Sequence, residues 1–222
     1  MSGPHLIYVA DPMCSWCWGF SPVIDAIAQR FGADLPIRLM MGGLRPGTTE
    51  PLTESGKRTI REHWDHVNQA SGQPFDMRFF DRENFVYDTE PAARAVVVVR
   101  RSGMELALAY LRSVHRAFYA ENRDVTDLAV LADLAGPIGL DRAEFTDALR
   151  SDEAKQEVWT DFAVAQRSGI TGFPTLLAGA SQNGEYALVT QGFQRADHLI
   201  PPLEQWFDKQ RQAAETGAAP LP

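Results

Sequence analysis

Cysteine is almost missing from this chain, with only Cys14 and Cys17 among 222 residues. That scarcity excludes a disulfide framework, which needs several pairs. It also leaves a closed zinc site short of ligands, because four are needed and the five histidines are scattered. Positive charge is scarce too. Twenty-one Lys and Arg stand against twenty-nine Asp and Glu, for a formal net charge of −8. With no basic stripe, nucleic acid and anionic membrane are expected to be repelled rather than bound. No run of eighteen apolar residues occurs, so no membrane-spanning helix is expected. The first residues, Met-Ser-Gly-Pro-His, lack the charged and apolar regions of a secretory signal, and a cytoplasmic location is expected. In that reducing compartment a lone cysteine pair is expected to cycle rather than to staple.

What the chain does carry is the stretch Asp11-Pro12-Met13-Cys14-Ser15-Trp16-Cys17. It follows the apolar run at residues 5–10, which reads as a short buried strand ended by Asp11-Pro12. After it, Val23, Ile24, Ile27, Ala28 and Phe31 recur at helical spacing. Cys14 is therefore expected at a helix N-terminus, where unpaired N–H groups and the helix dipole favour a thiolate and make it the attacking sulfur. Cys17, one turn on, is expected to face inward and resolve what Cys14 forms. Two plainer readings compete, half of a zinc site and a pair of inert, buried thiols. The ligand count weighs against the first and the placement after a strand against the second.

The first helix reads as residues 15–31, bent by Pro22 and closed by Gly32. Residues 35–41 read as a second strand, parallel to the first if the crossover is right-handed. From about 53 to 169 nearly everything reads as helix. Ile60, Trp64, Val67 and Ala70 mark one segment that starts at Thr53 and ends at Ser71-Gly72. Thr89-Glu90-Pro91 opens another over 92–101 despite the valines at 96–99. Further helices are predicted over 104–120, from Thr126-Asp127 to Gly136, after the capping box Asp141-Arg-Ala-Glu144, and over 152–168 with Val158, Trp159, Phe162 and Ala165 inward. Residues 73–84 read as irregular, with Phe75, Phe79 and Phe80 looking exposed. Strand character returns at 176–178, and Asn183-Gly184 predicts a hairpin turn before a strand at 186–190. A last helix carries Leu199, Ile200, Leu203, Trp206 and Phe207, its regular part expected after Pro201-Pro202, and a less ordered tail is expected after about residue 213.

The order β-α-β, helical insertion, β-β-α predicts an α/β chain with a mixed four-stranded sheet and helices on both faces. Together with Cys14-Ser15-Trp16-Cys17, Pro22 five residues beyond the second cysteine, and Gly172-Phe173-Pro174-Thr175 before the third strand, it resembles the DsbA-like branch of the thioredoxin superfamily. The resemblance covers nearly the whole chain. It implies a thioredoxin-like domain over 1–48 and 165–222, interrupted by a helical insertion over 49–164. It also implies a cis Phe173-Pro174 bond against the cysteines, with Pro174 joining Cys14 and Cys17 in catalysis. Phe173, Thr175, Trp16 and Trp18 then fall on the substrate side. The activity implied is thiol–disulfide exchange on protein or small-molecule substrates, recycled by a separate reductant or oxidant, with no cofactor beyond the dithiol and glutathione admitted as co-substrate.

The chain also departs from that pattern. Tyr8 stands six residues before the first cysteine, where thioredoxins and DsbA proteins carry a buried acid. Asp11 is the nearest carboxylate and could accept a proton from Cys17, but Asp-Pro turn chemistry favours a solvated turn residue. Trp16, Trp18, Phe20 and Phe173 suggest an apolar rim, some of it core. His63 and His66, beside Glu62 and Asp65, read as a polar helix face rather than a metal cluster. Trp64, Trp159 and Trp206 read as packing residues. Two other functions stay open. One is a glutathione-dependent transferase or isomerase of the kappa-like group, against which Cys17 argues because such proteins need no resolving cysteine. The other is a redox-silent chaperone or peptide-binding module.

Overall fold

The computed structural model describes residues 3–180 and 185–216. Strand β1 (His5–Ala10) runs into helix α1 (Ser15–Phe31), and β2 (Ile37–Met41) returns parallel to β1. Six helices follow: α2 (Glu54–Ser71), α3 (Glu90–Arg100), α4 (Met104–Tyr119), α5 (Leu128–Ala135), α6 (Arg142–Arg150) and α7 (Asp152–Arg167). The chain then adds β3 (Thr175–Gly179), β4 (Ala187–Gln191) and α8 (Ala196–Thr216). The sheet order is β2-β1-β3-β4, with β3 antiparallel to both β1 and β4. The mixed sheet and the run of helices between its halves are as the sequence predicts. The Asn183-Gly184 turn lies outside the described residues.

Local chemistry explains the boundaries. Thr53, Asp127, Asp141 and Ser151 each accept a backbone N–H in the first turn of the helix they open, as good N-caps do. Gly72 ends α2 in the left-handed conformation. Pro22 lies inside α1 and has no N–H for the Trp18 carbonyl, which accepts instead from Gln73 Nε2 at 3.3 Å. The valines of α3 pack as helix because the segment is buried almost all round.

Strand β2 is an edge, yet outward backbone groups of its Leu39 and Met41 are occupied. Asp161 Oδ2 accepts from Met41 N at 3.0 Å, while Arg100 Nη1 donates to the Leu39 carbonyl at 3.0 Å and to Asp161 Oδ2 at 2.6 Å. One ion pair from α3 and α7 thus occupies two groups of the edge and ties the helical segment to the sheet.

Three expectations fail, each through tertiary packing. Phe79 and Phe80 are buried, not exposed, because a 3-10 turn at Met77–Asp81 folds them onto Trp64 at ring-centroid distances of 5.0 and 4.9 Å. Trp159, assigned to an inward face, is 48% exposed; its ring meets Phe162 edge-on and otherwise faces out. Helix α8 begins before Pro201-Pro202 rather than after them and runs to Thr216. Buried Leu199, Leu203 and Phe207 form one apolar stripe spanning the prolines, and that packing holds the turn whose backbone bonds they remove. The remainder of the expected tail lies outside the described residues.

Candidate functional site

Asp11-Pro12 leaves β1 and turns the chain so that Cys14 becomes the N-cap of α1, with φ −94° and ψ 116°. No side chain caps this helix start. Both cysteines are free thiols and both are buried, Cys17 completely. The Cys14 Sγ donates to the Phe173 carbonyl at 3.6 Å. The Phe173-Pro174 bond is cis, as the resemblance implies. On the far side of the same loop, Pro174 O accepts from Gly192 N at 2.7 Å and Gly172 O from the Thr175 hydroxyl at 2.7 Å. Those bonds fix the loop so that the Phe173 carbonyl points at sulfur.

Beneath the dithiol lies a polar network that local sequence patterns do not reveal. Asp11 does start a turn, its carbonyl accepting from Cys14 N at 3.1 Å, but it is fully buried rather than solvated, which overturns that half of the expectation. Its Oδ1 accepts from Met13 N at 2.9 Å and its Oδ2 from Leu44 N at 2.7 Å, so one carboxylate clasps the cysteine loop to the segment after β2. Burial pushes its pKa up to about 6, against the opposing pull of the Leu44 and Met13 N–H groups. His115 of α4 places Nε2 3.1 Å from the Asp11 carbonyl and Nδ1 3.2 Å from Ser21 Oγ. A carbonyl only accepts, so Nε2 carries the proton and Nδ1 is left as an acceptor, with the one Ser21 hydroxyl proton shared between it and the Cys17 carbonyl, also at 3.2 Å. Burial lowers the His115 pKa to about 4, which keeps the ring neutral. Tyr87 donates its hydroxyl to the Met13 carbonyl at 2.7 Å. Burial, then the neighbouring Cys14 thiol, raises the Cys17 pKa well above its usual value. Cys17 is therefore a protonated thiol at neutral pH.

The rim is smaller than expected. Trp16 and Phe173 are partly exposed beside the dithiol, and Trp16 packs on Phe193 at 5.7 Å. Trp18, expected on the substrate side, is turned inward with Nε1 donating to the Pro74 carbonyl at 3.0 Å, and Phe20 is core. Thr175 is likewise buried. Trp206 is partly buried against the core, as expected of a packing residue. His63 and His66 lie exposed on α2, and no metal-binding group of His, Cys, Asp or Glu occurs among the described residues.

The sequence reading missed a cleft of about 450 Å³ that opens beside the Phe173 loop. Gly42, Gly43 and Leu44 form one wall, Trp159 and Phe162 of α7 another, and Phe173 links it to the sulfur. No sequence signal marks it, since helical spacing puts Trp159 inward; only the structure leaves that indole exposed next to the site.

A mixed sheet of this order, a cysteine pair at the first residues of α1 and a cis-proline loop over the first sulfur together define a DsbA-like variant of the thioredoxin fold. The family comparison agrees: the chain belongs to the DSBA-like thioredoxin domain family, whose model matches residues 5–200. A solved structure from Nitrosomonas europaea, provisionally described as a protein disulfide isomerase, is 39% identical and superposes with a TM-score of 0.86, covering 93% of this chain and 98% of that one. The cytosolic disulfide reductase DsbM from Pseudomonas aeruginosa is 29% identical over 96% of this chain and 98% of its own, with a TM-score of 0.69, and has also been solved with GSH. Among curated relatives, the ClpXP adapter protein SpxH of Bacillus subtilis is 25% identical over 96% of this chain. The chain spans 71% of that adapter's length and 63% of its Bacillus licheniformis counterpart.

Proposed function

We propose that the protein is a thiol–disulfide oxidoreductase, with Cys14 as nucleophile and Cys17 as resolving thiol. One observation carries this reading: Cys14 Sγ, at the N-cap of α1, faces the Phe173 carbonyl at 3.6 Å with Cys17 buried behind it. In the reducing direction the Cys14 thiolate attacks a substrate disulfide. A mixed disulfide forms and one substrate thiolate leaves. Cys17 then attacks Cys14 Sγ, the second substrate thiolate leaves, and two electrons have passed to the substrate. A separate reductant recycles the pair, and no cofactor beyond the dithiol is invoked. The cleft between Leu44 and Trp159 takes an apolar side chain of the substrate, and the Phe173 backbone pairs with the extended segment that carries the disulfide. A cytoplasmic location and a glutathione-linked cycle are supported by the likeness to a cytosolic disulfide reductase that has been solved with GSH. Insulin reduction, with and without glutathione, tests the reading. Activity is expected in the unaltered protein and none in Cys14→Ser; equal activity in both would overturn it.

A second reading rests on the curated adapters and on the exposed Trp159 and Leu44. It makes the protein an adapter that binds a protein partner without redox turnover. That reading predicts partner binding unchanged in a Cys14→Ser, Cys17→Ser double variant and lost in Trp159→Ala.

A further inference from the structure

Helix α4 sends one polar side chain beneath both arms of the cysteine pair. His115 is wholly buried, with ring-centroid distances of 6.3 Å to both Trp18 and Tyr119. Its Nε2 donates to the Asp11 carbonyl at 3.1 Å. The same oxygen accepts from Cys14 N at 3.1 Å, so both of its lone pairs are used and the Asp11–Cys14 turn is tied to α4. On the other side of the ring, Nδ1 faces the buried Ser21 Oγ at 3.2 Å, and that hydroxyl lies 3.2 Å from the Cys17 carbonyl. His115 thus reaches the backbone ahead of Cys14 directly and the backbone of Cys17 itself through one hydroxyl. Its neighbours hold one side each. The Asp11 carboxylate and the Tyr87 hydroxyl bind the N–H and carbonyl of Met13, ahead of Cys14. Gln73 Nε2 binds the Trp18 carbonyl, beyond Cys17. A buried imidazole is costly unless both nitrogens are paired, and here the pairing falls on the two segments whose separation decides whether a disulfide can close. Disulfides tolerate only a narrow range of Cα–Cα separations, about 4.4–6.8 Å.

We propose that His115 is a positioning residue for the dithiol, holding the Asp11–Cys14 turn and the Cys17 peptide at the spacing that closure of the Cys14–Cys17 bond requires. It thereby raises the effective concentration of Cys17 at Cys14. This rests on the dithiol reading above. His115 acts through Asp11 and Ser21, without a bond to either sulfur, and gives and takes no proton in the reaction. Its contribution is preorganisation, because closure then meets a loop that is already fixed and loses little further freedom. First attack by Cys14 on an external disulfide needs no set distance to Cys17. The effect of His115 therefore falls on closure and not on attack.

Equilibration with glutathione measures this. Glutathione disulfide oxidises the two thiols to one S–S bond and leaves as two glutathione thiols, and the equilibrium constant of that exchange is the effective concentration of the pair. Acid quenching, alkylation and mass measurement count the open, closed and singly glutathionylated forms. His115→Phe keeps a buried ring and removes both nitrogens. Its constant is expected to fall about tenfold, within what a slight misplacement costs, which moves the couple about 30 mV in the oxidising direction. Singly glutathionylated protein is expected to build up, while the rate at which Cys14 is first modified stays unchanged. His115→Gln again offers one donor and one acceptor, and is expected to recover most of the loss. Ser21→Ala cuts only the arm to Cys17; it is expected to lower the constant by less, and it tests the proposal even where His115→Phe does not fold. A normal constant in folded His115→Phe, a normal constant in Ser21→Ala, or no recovery in His115→Gln would overturn the positioning role while leaving the dithiol reading intact. An unaltered protein that closes no Cys14–Cys17 disulfide in any glutathione mixture would overturn both.

Discussion

At the scale of single residues, Asp11 governs the site. Its carboxylate joins the loop before Cys14 to the backbone of Leu44, and so sets both the cysteine loop and one wall of the neighbouring cleft. Burial raises its pKa from 3.8 to about 6, so the folded protein binds a proton there more tightly than the unfolded chain. The sign follows: the protonated form favours folding fully below the unfolded value, and this contribution is lost as pH rises through about 6. A shift of roughly two units corresponds to on the order of 3 kcal/mol. Asp11→Asn does not titrate, so urea unfolding at pH 4 and pH 7.5 should show the variant gaining by that order on the unaltered protein at the higher pH. A difference between the two proteins that stays constant with pH would show the carboxylate to be hydrated instead. None of this was legible in the sequence. Asp-Pro is turn chemistry wherever it occurs, and only the return of the chain at Leu44 buries the side chain. His115 was silent for the same reason, its partners Ser21 and the Asp11 carbonyl lying about one hundred residues away in sequence.

At the scale of elements, β1, α1 and the Phe173 loop hold the cysteine pair, and the segment after β2 holds the loop from the side. Gly42 donates its N–H to the Ala10 carbonyl at 2.8 Å, and the Phe173 ring lies where a Cβ on Gly42 would project. Gly42→Ala must therefore push the ring, and with it the carbonyl facing Cys14. Overpacking of this kind costs about 1–3 kcal/mol. Insulin reduction by Gly42→Ala is expected to fall at least as steeply as its thermal stability; normal activity would separate the Phe173 ring from the function of its loop. The elements themselves were largely readable. The caps at Thr53, Asp127, Asp141 and Ser151 and the stops at Gly32 and Gly72 are local devices that act within one turn. The misreadings fell where a distant surface decides. Trp64 recruits Phe79 and Phe80, and the stripe of Leu199, Leu203 and Phe207 carries α8 across two prolines.

At the scale of the whole molecule, the helices between β2 and β3 do two things. They occupy two groups of the β2 edge through Arg100 and Asp161, and they supply Trp159 and Phe162 to a cleft whose other walls belong to the sheet side. The site is thus assembled by both parts of the chain, which is why the cysteine pair and the cis proline could be found in sequence but the cleft beside them could not. The central claim is that Cys14 attacks and Cys17 resolves. Non-reducing gels of cells expressing Cys17→Ser, Cys14→Ser and the double variant test it most directly. Mixed disulfides that vanish on reduction should accumulate with Cys17→Ser alone. Their accumulation with Cys14→Ser instead, or with none of the three, would contradict the account.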